Sequence, residues 1–200
     1  MKKSAEFRNV ARENLKGNWG TAIVVCLIVI AITAILGMIP VVGSIAMLLL
    51  TGQLIVGEFN YFIKLNNKQE AKISSMFTGF GENLINNFLT YLLQTIYTIL
   101  WTLLFIVPGI IKSYSYSMTM FIKSKKPELG ANDAITLSRQ IMNGKKWKLF
   151  CLHFSFIGWA ILSVLTFGIG FLFLMPYMQA SITAFYEDAY NSYQQVEIEN

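Results

Sequence analysis

The chain has 200 residues, 54% of them hydrophobic and only 14% charged, and sixteen Lys and Arg against eleven Asp and Glu leave a net charge of +5. Soluble domains carry about 25% charged residues, so this composition leaves too little polar surface to cover a water-soluble fold. The basic excess would suit nucleic acid in a soluble protein, but here the cations flank apolar stretches, where membrane orientation and anionic headgroups account for them.

Residues 4–16 open the chain as an amphipathic helix. Phe7, Val10, Ala11 and Leu15 recur at three- and four-residue steps, and Arg8, Arg12 and Lys16 form a stripe beside them. Such a helix is expected to lie flat on the inner leaflet, its apolar face in the acyl region and its cations toward phosphate. Gly17 ends it, and Trp19 is placed at headgroup level. Apolar spans are then predicted at about 21–39 and 42–63, joined by a turn at Pro40 and Gly43. A polar loop with Lys68 and Glu70 leads to a third span at 84–107. Pro108 is expected to open a short fourth span, 108–122, as a first-turn proline. A basic loop fills 123–148, with further spans at 149–165 and 171–186, the last kinked at Pro176. The polar, acidic tail 191–200 is expected to be disordered.

Folded as three hairpins, these six spans hold every Lys and Arg except Lys112 on the side of the N-terminus, while the connections near 39–44, 105–110 and 166–170 carry no charge. That asymmetry predicts cytoplasmic N- and C-termini in a bacterial cytoplasmic membrane. The fold class expected is therefore all-α: a polytopic transmembrane helical bundle, residues 1–190, with interfacial pre-helices. An internal repeat supports it. Three times a short amphipathic segment ends in glycine and leads into a hairpin. The second centres on Ile73, Met76, Phe77 and Phe80, closed by Gly79 or Gly81, and the third on Ile135, Ser138, Ile141 and Met142, closed by Gly144.

Pro108-Gly109-Ile110-Ile111-Lys112 followed by Tyr114 and Tyr116 is one family mark. Others are Ser138…Met142-Asn143-Gly144-Lys145 before Leu149-Phe150, Ser155-Phe156-Ile157-Gly158-Trp159, and Gly168-Ile169-Gly170 before Pro176-Tyr177…Ala180…Phe185-Tyr186. Together they resemble the bacterial membrane-protein family catalogued as domain of unknown function 975. The arrangement is also loosely similar to the membrane portion attached to some glycerophosphodiester phosphodiesterases, without the appended catalytic domain. The resemblance implies a polytopic helical membrane protein and brings no catalytic residue.

Ionisable groups inside a bilayer are functional hypotheses by default. Glu58 and His153 compute to similar shallow depths and could pair if their helices neighbour one another; Lys112 and Gln53 lie deeper. Together they would form a polar cavity suited to a small-solute or ion transporter. Equally, Glu58 can reach the inner headgroups, Lys112 the outer ones, and His153 a carbonyl. Gly109, Ser113 and Ser117 form a small-residue stripe suited to close helix packing; pore lining would instead require Tyr114 or Tyr116 to face water. Arg8, Arg12, Lys16, Lys145, Lys146 and Lys148 are candidate contacts for anionic phospholipid headgroups. The basic loop lacks the aromatic interleaving of a single-strand binder, so no nucleic-acid partner is expected.

No HExxH, GxSxG or Walker loop occurs, and Cys26 and Cys151 lack metal-site spacing. No catalytic, cofactor or metal residue is therefore assigned. Glu82, Glu128 and Asp133 could only form a carboxylate site in an inner loop. The function expected is a non-enzymatic component assisting or regulating processes at the inner leaflet, with a transporter as the alternative and a lipid-modifying enzyme as the third reading.

Overall fold

The computed structural model describes residues 3–81 and 83–199, and among them the regular structure is helical throughout. An amphipathic helix, α1 (Ser4–Leu15), precedes the hairpin α2 (Trp19–Gly37) and α3 (Val42–Asn66). A 3-10 helix (Ile73–Phe80) leads to α4 (Leu84–Leu104), α5 (Ile106–Tyr116) and α6 (Thr119–Lys125). A second amphipathic helix, α7 (Ala131–Ile141), leads to α8 (Lys146–Phe154), α9 (Ile157–Leu165) and the long α10 (Ile169–Glu199). Among the described residues, four segments are long and apolar enough to cross a membrane: Trp19–Gly37, Val42–Asn66, Lys146–Leu165 and Ile169–Val196.

The three hairpins turn in the same way. Near the start of each descending helix a glycine sits against the residue seven positions earlier: Gly43 against the Leu36 carbonyl, Gly109 against Thr102, Gly170 against Ser163. A Cβ on Gly109 would stand 2.7 Å from the Thr102 Cα, and one on Gly170 2.7 Å from the Ser163 Cα. Real Cβ atoms do not come so close, so the absent side chain is what lets the two limbs touch backbone to backbone. The entries into the first and third hairpins also match. Gly17 and Gly144 follow the two amphipathic α-helices and both hold a left-handed backbone, with φ of 82° and 71°. That conformation strains any residue with a Cβ. The second entry differs, its segment being a 3-10 helix.

The structure redraws several expected boundaries. Span 108–122 is divided: α5 stops at Tyr116, and α6 begins at Thr119 after a turn at Ser117 and Met118. At the break, Ser117 Oγ donates to the Tyr114 carbonyl (2.9 Å) and Thr119 Oγ1 to the Tyr116 carbonyl (2.7 Å). Such bonds compete with the helical ladder. Eleven residues of α5 reach only about 16 Å, half a bilayer core. Pro108 stands third in α5 rather than first; the third N–H has no helical partner either, so proline is tolerated for the same reason. Pro176 lies inside α10, which continues past it. The tail expected to be disordered extends α10 to Glu199, pinned where Tyr193 Oη donates to Gln140 Oε1 at 3.2 Å.

The apolar faces of α1 and α7 are buried against protein, whereas Phe77 of the 3-10 helix is 48% exposed. Phe7, Ala11 and Leu15 of α1 are buried against α10 and α3, and the Phe7 and Phe185 rings meet edge to face at 5.3 Å. Ala134, Ile135, Ser138 and Ile141 of α7 are buried against α4, α5 and α6. The 3-10 helix lies on α3, with its Met76 carbonyl against Gly57 and its Gly79 against the Gln53 carbonyl. A protein groove lined by aromatic rings holds these faces more specifically than an acyl layer. The outcome is a molecule with two ends. The buried core, including Phe59, Phe62, Phe121 and Tyr186, sits among the amphipathic helices at the basic end. The hairpin tips are bare, with Met38 82%, Leu103 78% and Phe167 99% exposed.

Candidate functional site

Glu58 is carried on α3 beside Gly57. The 3-10 helix covers the Gly57 side, and Glu58 faces α2 and α10. There it is half-buried in a cleft of 260 Å³ with Val29, Met175, Met178, Gln179 and Ile182, and its Oε1 accepts a long hydrogen bond from Cys26 Sγ at 3.8 Å. His153 finds a different partner. Its Nδ1 stands 3.3 Å from the Tyr114 hydroxyl, α8 against α5, with the rings 5.8 Å apart. The condition for a Glu58–His153 pair is therefore not met: each residue is engaged by another helix. Tyr114 also meets Phe150, and Tyr116 is buried with its ring 6.4 Å from that of Tyr97. Both tyrosines face neighbours, which is the packing arrangement and not pore lining.

Gln53 is fully buried, and its Nε2 donates to the Leu84 carbonyl at 2.9 Å, tying α3 to the first residue of α4. Lys112 lies elsewhere. Its ammonium stands 4.3 Å from the centre of the Trp101 ring, and it borders a cleft of 380 Å³ with Arg139 of α7 and Lys146 of α8. The four intramembrane candidates thus occupy separate places and make no common cavity. The depth expected for Lys112 assumed one continuous helix to Lys123. The break at Ser117 and Met118 removes that ruler and lets the basic helix α7 pack beside α5.

The six headgroup candidates also divide. Arg8 Nη1 donates to the Ser155 carbonyl at 3.3 Å, where α8 gives way to α9, and Lys145 Nζ donates to the Ala189 carbonyl at 2.9 Å. Both are fastenings between elements. Burial lowers the Lys145 ammonium from the ordinary lysine value, Asp188 pulling the other way and Lys148 reinforcing the fall. Arg12 is exposed, its guanidinium 6.0 Å from the Tyr177 ring at the edge of an apolar cleft of 330 Å³ that includes Trp19 and Phe173. Lys16 and Lys148 are exposed, and Lys146 is half-buried. Those four remain free to meet an anionic surface.

Two residues gain roles that spacing alone did not assign. Lys123 is fully buried, and its ammonium donates to the Pro127 carbonyl and to the Leu129 carbonyl (2.7 Å), closing the loop before α7. Burial lowers its pKa from the usual lysine value, while Glu128 acts to raise it. Arg139 joins Lys112 and Lys146; its seven-residue separation from Lys146 across the Gly144 turn was the one available signal. Glu82 lies outside the described residues, Glu128 is exposed, and Asp133 stands in the first turn of α7. Among the described residues no group of three or more His, Cys, Asp or Glu could hold a metal ion.

No curated protein and no solved structure matches the chain. One family does, through the model described as Protein of unknown function (DUF975), which matches residues 1–114 and 105–192. With both halves covered, and with the paired glycine turns and apolar hairpins described above, the chain belongs to the DUF975 family.

Proposed function

We propose that the protein is a non-enzymatic component of a bacterial cytoplasmic membrane that works at the inner leaflet. Its cap, with both termini, faces the cytoplasm. Its apolar hairpins enter the bilayer from that side, the central hairpin α4–α5 between the four span-length segments. One observation supports this most strongly: the amphipathic helices, the buried core and nearly all cations share one end, while the uncharged hairpin tips share the other. The exposed Arg12, Lys16 and Lys148 then stand at the depth of phosphate headgroups, each contributing about 1 kcal/mol of attraction to an anionic leaflet.

Reconstitution in nanodiscs of phosphatidylcholine with increasing phosphatidylglycerol tests this reading. Ligands that bind the native state raise its stability, so Tm should climb with the anionic fraction and fall back in high salt. A Tm indifferent to lipid charge contradicts it.

A transporter remains the second reading, supported by Glu58 alone: a carboxylate in an otherwise largely apolar cleft between three helices. Vesicles showing a pH-dependent solute flux lost in Glu58→Gln would favour it over the first.

A further inference from the structure

We infer that the cleft between α5, α7 and the start of α8 binds a phosphoryl group, held by Lys112, Arg139 and Lys146. These three cations come from three separate elements and border one space of 380 Å³. Lys112 and Arg139 also border an adjoining depression of 270 Å³. Local structure places the Lys112 ammonium and the segments that carry Arg139 and Lys146. The Trp101 ring seats the Lys112 ammonium at 4.3 Å. Ser138 Oγ donates to the Ser115 carbonyl at 2.9 Å, clamping α7 to α5 one residue before Arg139. The left-handed Gly144 turns the chain after α7 and brings Lys146 back to the same cleft.

Among the described residues no carboxylate comes within ion-pair distance of any of the three; the ion pairs formed are Lys72–Glu70 and Lys125–Glu187. Like charges around a half-enclosed space repel, and an anion there removes the repulsion. The chemistry fits a phosphoryl group better than a lone carboxylate. Arginine offers a planar fork for two phosphate oxygens and the lysines add point charges, while Ser115, Thr136 and Asn143 border the same space with polar groups. The space also exceeds what one bare phosphate fills. Trp147 adjoins Lys146, is exposed, and stacks on Phe150 at 5.1 Å. An exposed indole beside a cationic cleft is the arrangement found at headgroup level.

The phosphoryl group can come from a lipid headgroup or from free phosphate. The lipid source rests on the inner-leaflet reading, and the phosphate source does not.

Calorimetric titration of the detergent-purified protein tests the site with two probes, dihexanoyl phosphatidylglycerol and inorganic phosphate. At least one should bind. Arg139→Gln and Lys146→Gln should each weaken that binding about tenfold, as expected for loss of a charge-assisted bond. Lys72→Gln, which removes an equal charge from a remote exposed loop, should leave it unchanged. Lys112→Gln should weaken binding and Lys112→Arg retain it, showing that the site needs the charge; Arg139 is exposed, so its replacement leaves the core intact. Binding of both probes with the same variant sensitivity assigns free phosphate, and binding of the lipid alone assigns a headgroup. Binding of neither probe, or equal weakening by Lys72→Gln, overturns the proposal. Because the titration uses no bilayer, a failure there is distinct from an insensitivity to lipid charge in nanodiscs.

Discussion

Single residues decide how closely the helices approach. Gly109→Val would drive a branched side chain into the Thr102 backbone and should lower stability by about 1–3 kcal/mol or more, read as a fall in Tm in detergent. Gly158→Ala is the control: nothing lies within 4 Å of the new Cβ, so it should be neutral or stabilise by about 0.5–1 kcal/mol. Lys123→Met should cost about 1.5–3 kcal/mol for each charged hydrogen bond lost and make the 126–130 loop sensitive to protease. Sequence showed some of this. Gly109 was legible as a packing position because small residues recur at helical spacing, although Ser117 of the same stripe falls in the turn after α5. The partners of Glu58, His153 and Lys112 were not, since pairing across helices depends on which limbs are neighbours, and a depth counted along one helix says nothing about that. Lys123 reads as one more loop cation until the chain folds and wraps Pro127 and Leu129 around it.

At the scale of elements, the all-helical architecture and the amphipathic segments α1 and α7 ahead of apolar helices were found by apolar periodicity, while the second segment is a 3-10 helix. What periodicity left open is where an apolar face is buried. The α1 stripe was expected to rest on lipid, but Phe7 packs against Phe185 in a protein groove. Phe7→Ala should therefore destabilise the protein by about 3–5 kcal/mol and expose the chain near Lys16 to trypsin. A helix resting on lipid would lose membrane affinity instead and leave the fold intact. The division of span 108–122 was hidden for a related reason. Ser117 read as the last member of a packing stripe on one continuous helix, yet it lies in the turn after α5, where its hydroxyl and that of Thr119 bond back to the preceding turn. The tail misled through composition: its polarity suggested disorder, while Tyr190 and Tyr193 anchor α10 against the cap.

At the scale of the whole molecule, charge asymmetry along the sequence becomes an asymmetry of architecture. The basic end is a folded cap with its own aromatic core, and the opposite end is a set of uncharged hairpin tips with no protein around them. Helices α2 and α3 reach about 28 Å and 37 Å at the usual rise, matching or exceeding a bilayer core. Single-cysteine labelling in intact cells tests this arrangement most directly. In a background of Cys26→Ala and Cys151→Ala, Phe167→Cys should react with an impermeant maleimide added outside, while Lys125→Cys should react only after the cells are permeabilised. Reaction of Lys125→Cys from outside, with Phe167→Cys protected, would contradict the account.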